Sequence, residues 1–192
     1  MTKASDNPFP SILLEDHADP SAPADGFKRL FVDTDEHLKM IDHASLVTDF
    51  LDSNLAGQEI DYAQITSPVN VTASVEASGD TVVSGNAVTY DGSTVVMITF
   101  YAPAFSPAAG ANNLSFLLFD GSSSIGYIGG SLGSDASNVM RVPIMLSRRL
   151  TPSNASHTYS IRAIVNTGTG VVSAGAGGAG AYQPAYIRIT KV

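Results

Sequence analysis

The chain has 192 residues, enough for one ordinary domain with an additional arm or for two small domains, and its 44% apolar content suits a packed core. It has no cysteine, which excludes a disulfide framework, a thiol nucleophile and cysteine-ligated zinc, and its net charge of −8 opposes non-specific binding to nucleic acid. No apolar run is long enough to span a membrane and the first residues lack the apolar stretch of a secretory signal, so the expectation is a cytoplasmically made protein without membrane insertion.

Charge is divided unevenly along the chain. Residues 1–62 hold thirteen Asp or Glu against four Lys or Arg, whereas residues 63–192 hold five against six. After Asp135 there is no acid, while Arg141, Arg148, Arg149, Arg162, Arg188 and Lys191 all follow it. Two pieces of different character are therefore expected, an N-terminal segment over residues 1–58 and a β-domain over 59–192.

Residues 1–26 read as an extended arm, because Pro8, Pro10, Pro20 and Pro23 forbid a regular helix. Within it Phe9 and the patch Ile12, Leu13 and Leu14 offer apolar side chains, either to a partner surface or to the chain's own domain. Residues 28–33 and 37–42 then predict a hairpin across the polar turn 34–36. Residues 45–50 read as a third strand or the first turn of a short helix. A sheet this small does not stand alone in water and is expected to lean on the main domain or on copies of itself.

From Ile60 onward the pattern is almost wholly β. Candidate strands run over residues 60–66, 69–76, 80–84, 86–90, 94–102, 113–119, 124–129, 139–148, 157–165, 170–174 and 185–192, separated by Gly, Asn, Asp, Ser and Pro at the spacing of a sandwich or barrel. The last strand pattern reaches Val192, which implies that this end is tied into the core. Residues 94–101 and 114–119 are apolar on both faces. A sandwich strand meets the core with one face only, so packing against another subunit is the simplest cover for the second.

Chemistry in the sequence is sparse. Gly129-Gly-Ser-Leu-Gly133 matches the nucleophile-elbow pattern, with Asp135 and His157 following, but that motif requires a helix after the serine and here another strand pattern follows. Gly175-Ala-Gly-Gly-Ala-Gly180 spells a dinucleotide fingerprint without the helix that would face a pyrophosphate, and reads as a flexible connector or an adaptable exposed tip. His37 and His43 lie near Asp35, Glu36 and Asp42 without metal-ligand spacing. Asp80, Asp91 and Asp120 make a calcium site only if their loops converge. The sequons at Asn70, Asn113 and Asn154 read as ordinary strand and loop positions. Phe105, Tyr127 and Tyr182 sit in or beside Gly, Ser, Ala and Pro loops, where an exposed ring can stack on a sugar or a protein partner.

Two stretches carry a resemblance to tailed-bacteriophage structural proteins. Pro23 to Gly26, the following strand, the acidic turn, Leu38-Lys-Met-Ile-Asp42 and Val47-Thr48 resemble a short module of phage fibre and head-attached proteins, with Asp35-Glu36 where that module usually has Asp-Gly. Ser156-His-Thr-Tyr-Ser-Ile-Arg162, the glycine loop and Pro184-Ala-Tyr-Ile-Arg-Ile189 are similar to the end of the jelly-roll domains that cap phage fibres and decoration proteins, which have a trimeric tumour-necrosis-factor-like shape. The resemblance implies an all-β antiparallel jelly-roll sandwich preceded by an extended arm and hairpin. It implies a homotrimer on the virion surface, without enzymatic activity and without a cofactor. The protein would be a capsid decoration or head-fibre protein whose arm meets the major capsid protein or another virion protein; the alternative is a tail-fibre or spike tip that binds a host glycan or protein.

Overall fold

The computed structural model describes residues 21–32, 38–45, 47–49, 56–107, 112–130 and 141–192. The chain divides into two compact units, Met1–Leu55 and Ala56–Val192. Most of the expected arm, including Phe9, Ile12, Leu13 and Leu14, and the acidic turn with His37 lie outside the described residues.

The first unit contains a three-stranded antiparallel sheet of β1 (Lys28–Val32), β2 (Leu38–Asp42) and β3 (Val47–Asp49), paired in that order. Residues 45–50 thus contribute a strand. Asp42 shapes the turn between β2 and β3, its Oδ1 accepting the Ala44 N–H at 2.9 Å and its carbonyl the Ser45 N–H. Phe31 and Ile41 share the buried face of this sheet, while Leu30 on the opposite face and Phe27 before β1 stand exposed.

The second unit is a sandwich of two antiparallel sheets. Its strands are β4 (Glu59–Ile65), β5 (Val69–Val71), β6 (Asp80–Ser84), β7 (Val88–Thr89), β8 (Val96–Ser106), β9 (Leu114–Asp120), β10 (Ser123–Gly130), β11 (Val142–Leu150), β12 (Ser156–His157), β13 (Tyr159–Val165), β14 (Gly170–Ser173) and β15 (Ala185–Lys191). Among the described residues the one helical piece is a 3₁₀ turn at Glu76–Ser78. One sheet has the order β10-β9-β13-β6. The other joins β4, β15, β8, β14 and β5, with β11 on the far edge of β8. Successive strands cross between the layers, β8 to β9 and β13 to β14 among them, which makes the sandwich a jelly roll. β7 and β12 form a separate two-stranded pair.

Alternation along the strands builds the core. Val96, Ile98, Phe100 and Ala102 of β8 and Ala185, Ile187 and Ile189 of β15 point inward against Leu114, Phe116 and Leu118 of β9 and Ile161, Ala163 and Val165 of β13. Phe116 lies 5.1 Å from Phe100 and 5.3 Å from Phe105, ring centre to ring centre, so three aromatic rings fill the middle. Each such ring contributes about 1.5–3 kcal/mol by leaving water.

β8 contains Pro103, a residue that a central strand ordinarily excludes because it cannot donate to the ladder. Its place in the topology removes the conflict. On one side of β8 the partner changes from β15, which pairs as far as Tyr101, to β14, which starts at Ala104. On the other side the register with β11 shifts between Val142 and Ile144. Both ladders break around Pro103, so the strand continues to Ser106 and not only to residue 102 as the sequence pattern predicts.

The second apolar face of β9 is covered within the chain. Leu117 and Phe119 point away from the sandwich core yet are fully buried. The Arg162 guanidinium lies 4.1 Å over the Phe119 ring and is held there by donating to the Gly121 carbonyl. This corrects the expectation that another subunit must cover this strand.

Candidate functional site

The outward face of the β4-β15-β8-β11 sheet is where the second apolar face of β8 emerges. Strand register sets its side chains in rows. Gln64, Tyr186, Tyr101 and Met145 lie directly opposite one another across β4, β15, β8 and β11. The next row is Tyr62, Arg188, Thr99 and Ser147, followed by Thr190, Met97 and Arg149. Because side chains alternate along each strand, all of these stand on the face opposite Phe100 and Ile187.

Three tyrosines form the centre of this surface. Tyr62 and Tyr186 have ring centres 5.5 Å apart, and Tyr186 and Tyr101 5.4 Å apart, each pair tilted by 31°. The Tyr62 hydroxyl donates to Gln64 Oε1 at 2.8 Å, and Arg188 Nε donates to Glu59 Oε2 at 2.9 Å. Polar side chains thus border the rings. Met145 is 65% exposed and Tyr62 40% exposed, although both lie on a well-paired sheet. An apolar side chain that exposed on a regular strand adds little to the chain's own core.

The sequence-predicted residues are distributed differently. Phe105 is 3% exposed and belongs to β8, with its ring edge-on to Phe116. It is a core residue, and its expected place in a partner-binding loop is corrected: the paired strand runs through it and buries the ring. Tyr127 is 56% exposed on β10, on the outer face beside Leu117. Tyr182 is 41% exposed in the loop after β14, which is closed by Gly177 N–H donating to the Tyr182 carbonyl and Gly175 N–H to the Gln183 carbonyl. The structure does not bring these three rings together into one site. Residues 170–173 form strand β14, within the strand expected over 170–174, and its Gly170 is buried where a Cβ would press on Leu114 and Val165. Tyr62 carries no local signal in the sequence, since only the pairing of β4 with β15 places it beside Tyr186.

The acids and histidines resolve into local anchors. Asp80 accepts the Thr72 and Ala73 N–H groups, and the Ala73 bond foremost holds its carboxyl below the ordinary value. Asp91 accepts the Thr94 hydroxyl and the Ser93 and Thr94 N–H groups, which lower its pKa strongly. These carboxylates are occupied by different turns and do not converge on a cation; no metal-holding group of His, Asp and Glu is present among the described residues. His43 lies 3.5 Å from Asp25.

Ser131 and Asp135 lie outside the described residues. His157 has other partners. Its Nδ1 is 2.5 Å from Asp120 Oδ2 and its Nε2 is 2.9 Å from Ser153 Oγ and 3.1 Å from the Ser153 carbonyl. The ring stacks on Tyr159 with 3° between planes and meets Tyr90 edge-on. Burial first, and then Asp120, push the Tyr159 phenol up to about 12.

No family model matches the chain, and no curated protein does. Weak similarities to solved structures exist. The xylan-binding domain CBM22-1 of Paenibacillus barcinonensis Xyn10C shares 14% identity at a TM-score of 0.27, over 71% of this chain and 96% of that one. The carbohydrate-binding module CBM6cm-2 of Cellvibrio mixtus lichenase 5A, solved with cellotriose, shares 17% at 0.25, over 71% and 92%. The infectious bursal disease virus VP2 subviral particle shares 11% at 0.27, over 76% of this chain and 39% of that one.

Proposed function

We propose that this protein is a phage virion structural protein, a homotrimeric capsid decoration or head-fibre protein that is attached to the capsid by its N-terminal segment and projects its β-sandwich outward. The observation that carries this reading is the outward face of the β4-β15-β8-β11 sheet, where Tyr62 and Met145 stand exposed beside the half-buried Tyr101 and Tyr186. Copies of the chain are the occupant that fits best. The sandwich unit holds seven acids and six bases, so its copies approach without strong repulsion. The first unit holds eleven acids and four bases, which repel among copies of itself and suit a basic or mixed lattice.

In this reading Phe9, Ile12, Leu13 and Leu14 are the apolar anchors on the capsid, with many weak attachments acting together on a particle. Light scattering of the full chain at micromolar concentration is expected to give three times the chain mass of 19.9 kDa. A monomer at that concentration would sink the reading.

A second reading, a tail-fibre or spike tip that binds a host glycan, is favoured by the exposed rings of Tyr127 and Tyr182. Virion cryo-microscopy separates the two, because a decoration protein covers the capsid and a fibre tip sits at the tail. Glycan-array binding that is lost in Tyr127→Ala or Tyr182→Ala would favour the second.

A further inference from the structure

We infer that Ser153, His157 and Asp120 form a nucleophile, base and carboxylate relay able to hydrolyse a small carboxylic ester, an activity that goes beyond the structural role proposed above and departs from the expectation of a chain without catalysis. The relay uses the tautomer with its proton on Nδ1 of His157. An ionised carboxylate only accepts, so the 2.5 Å contact with Asp120 Oδ2 places a proton on Nδ1 of His157. In the neutral ring Nε2 then carries the lone pair, and the Ser153 hydroxyl 2.9 Å away donates to it.

The imidazole is fixed on every side that matters. It is stacked on Tyr159 and met edge-on by Tyr90, and its side chain is only 13% exposed. Asp120 is itself held, because its Oδ1 accepts the Thr158 N–H at 3.3 Å. Once Nε2 has taken the serine proton it becomes a donor, and the Ser153 carbonyl at 3.1 Å is in place to accept from it. The relay therefore has a partner for each protonation state.

Ser153 is exposed on the turn between β11 and β12. The main-chain N–H of Asn154, immediately after it, donates to no protein acceptor among the described residues. Gly92, at φ +80°, passes so near that a Cβ there would come to 3.0 Å from the Asn154 nitrogen, so only glycine fits beside this segment. An N–H directly after the nucleophile is well placed to stabilise a developing oxyanion.

The step balances without a cofactor. Ser153 Oγ attacks the ester carbonyl as its proton passes to His157 Nε2; the alkoxide leaves with that proton, giving an acyl-serine. Water, deprotonated by the same nitrogen, then releases the carboxylic acid and restores the serine. An exposed serine on a turn suits a short acyl group such as acetyl, which needs no enclosing pocket.

The test is covalent labelling of the full chain by a fluorophosphonate, together with hydrolysis of p-nitrophenyl acetate. The adduct is expected on Ser153, with turnover reduced about 10²–10⁴-fold in Ser153→Ala and in His157→Ala. Asp120, which acts through His157 and is a positioning residue, is expected on substitution by Asn to lower kcat while KM holds. Should His157→Ala fail to fold, Ser153→Ala decides alone, because its side chain is exposed and its loss leaves the core intact. Wild type hydrolysing no faster than an equally folded Ser153→Ala variant, or an adduct on another residue, would overturn the proposal.

Discussion

Phe105 illustrates how burial separates two readings of one residue. Its neighbours Pro103, Ser106 and Pro107 read as a loop, yet its ring closes the core against Phe116. Phe105→Ala is therefore expected to destabilise the sandwich by about 3–5 kcal/mol in urea unfolding, as cavity-forming losses of buried aromatics do. Asp80 gives a prediction for acid. Hydrogen bonds from Ala73 and Thr72 lower its folded pKa beneath the ordinary value of 3.8, so its stabilisation is fully present above that pH and fades as pH falls through the lowered value. Urea midpoints measured from pH 7 to pH 2 should show wild type more stable than Asp80→Asn at neutral pH, with the gap narrowing only below pH 3.8. A gap independent of pH would assign the role to shape alone. Asp80 was legible as an acid near turns; that its partners are backbone groups of the preceding segment was not, because they lie seven and eight residues away.

At the scale of elements, β8 and β9 pose the same question and receive different answers. Both are apolar on two faces, a pattern that says a strand is covered twice without saying by what. In β9 the cover is internal, with Arg162 of β13 laid over Phe119. In β8 the outer side chains join those of β4, β15 and β11 in a face that stays partly open. If copies close that face, Met145→Glu or Tyr186→Ala is expected to cost about 2 kcal/mol or more per contact and shift the light-scattering mass toward monomer. The Met145 variant should keep its unfolding midpoint when measured as a monomer, since its side chain adds little to the chain's own core. An unchanged mass in both variants would place the contact between copies elsewhere. Strand positions were largely legible from alternation and punctuation; the misses were residues 72–76, read as strand but lying beyond β5 and leading into the 3₁₀ turn at Glu76–Ser78, and the far end of β8, where Pro103 stops a local reading but not a strand whose partners change at that point.

For the whole molecule, the separation of charge coincides with a separation of structure. The three-stranded sheet and the sandwich are distinct compact units, and the sandwich contains the jelly-roll core. Deleting residues 1–58 is expected to leave the sandwich folded, with its strand signature by circular dichroism and a cooperative transition, while abolishing attachment to particles in a co-sedimentation assay. Retained attachment would move the anchor into the sandwich.

The amino-acid sequence alone determined the β-class, the strand positions, the absence of thiol chemistry and the division into an acidic leading segment and a nearly neutral sandwich, because these follow from composition and from alternation along single strands. Tertiary structure decided which rings meet. Tyr62, Tyr101 and Tyr186 are brought together by strand register between segments far apart in the sequence, as Asp120 is brought to His157, whose neighbour Ser153 lies only four residues away. Pairing of that kind depends on which strands become neighbours, and a local pattern of apolar and polar residues leaves that choice open.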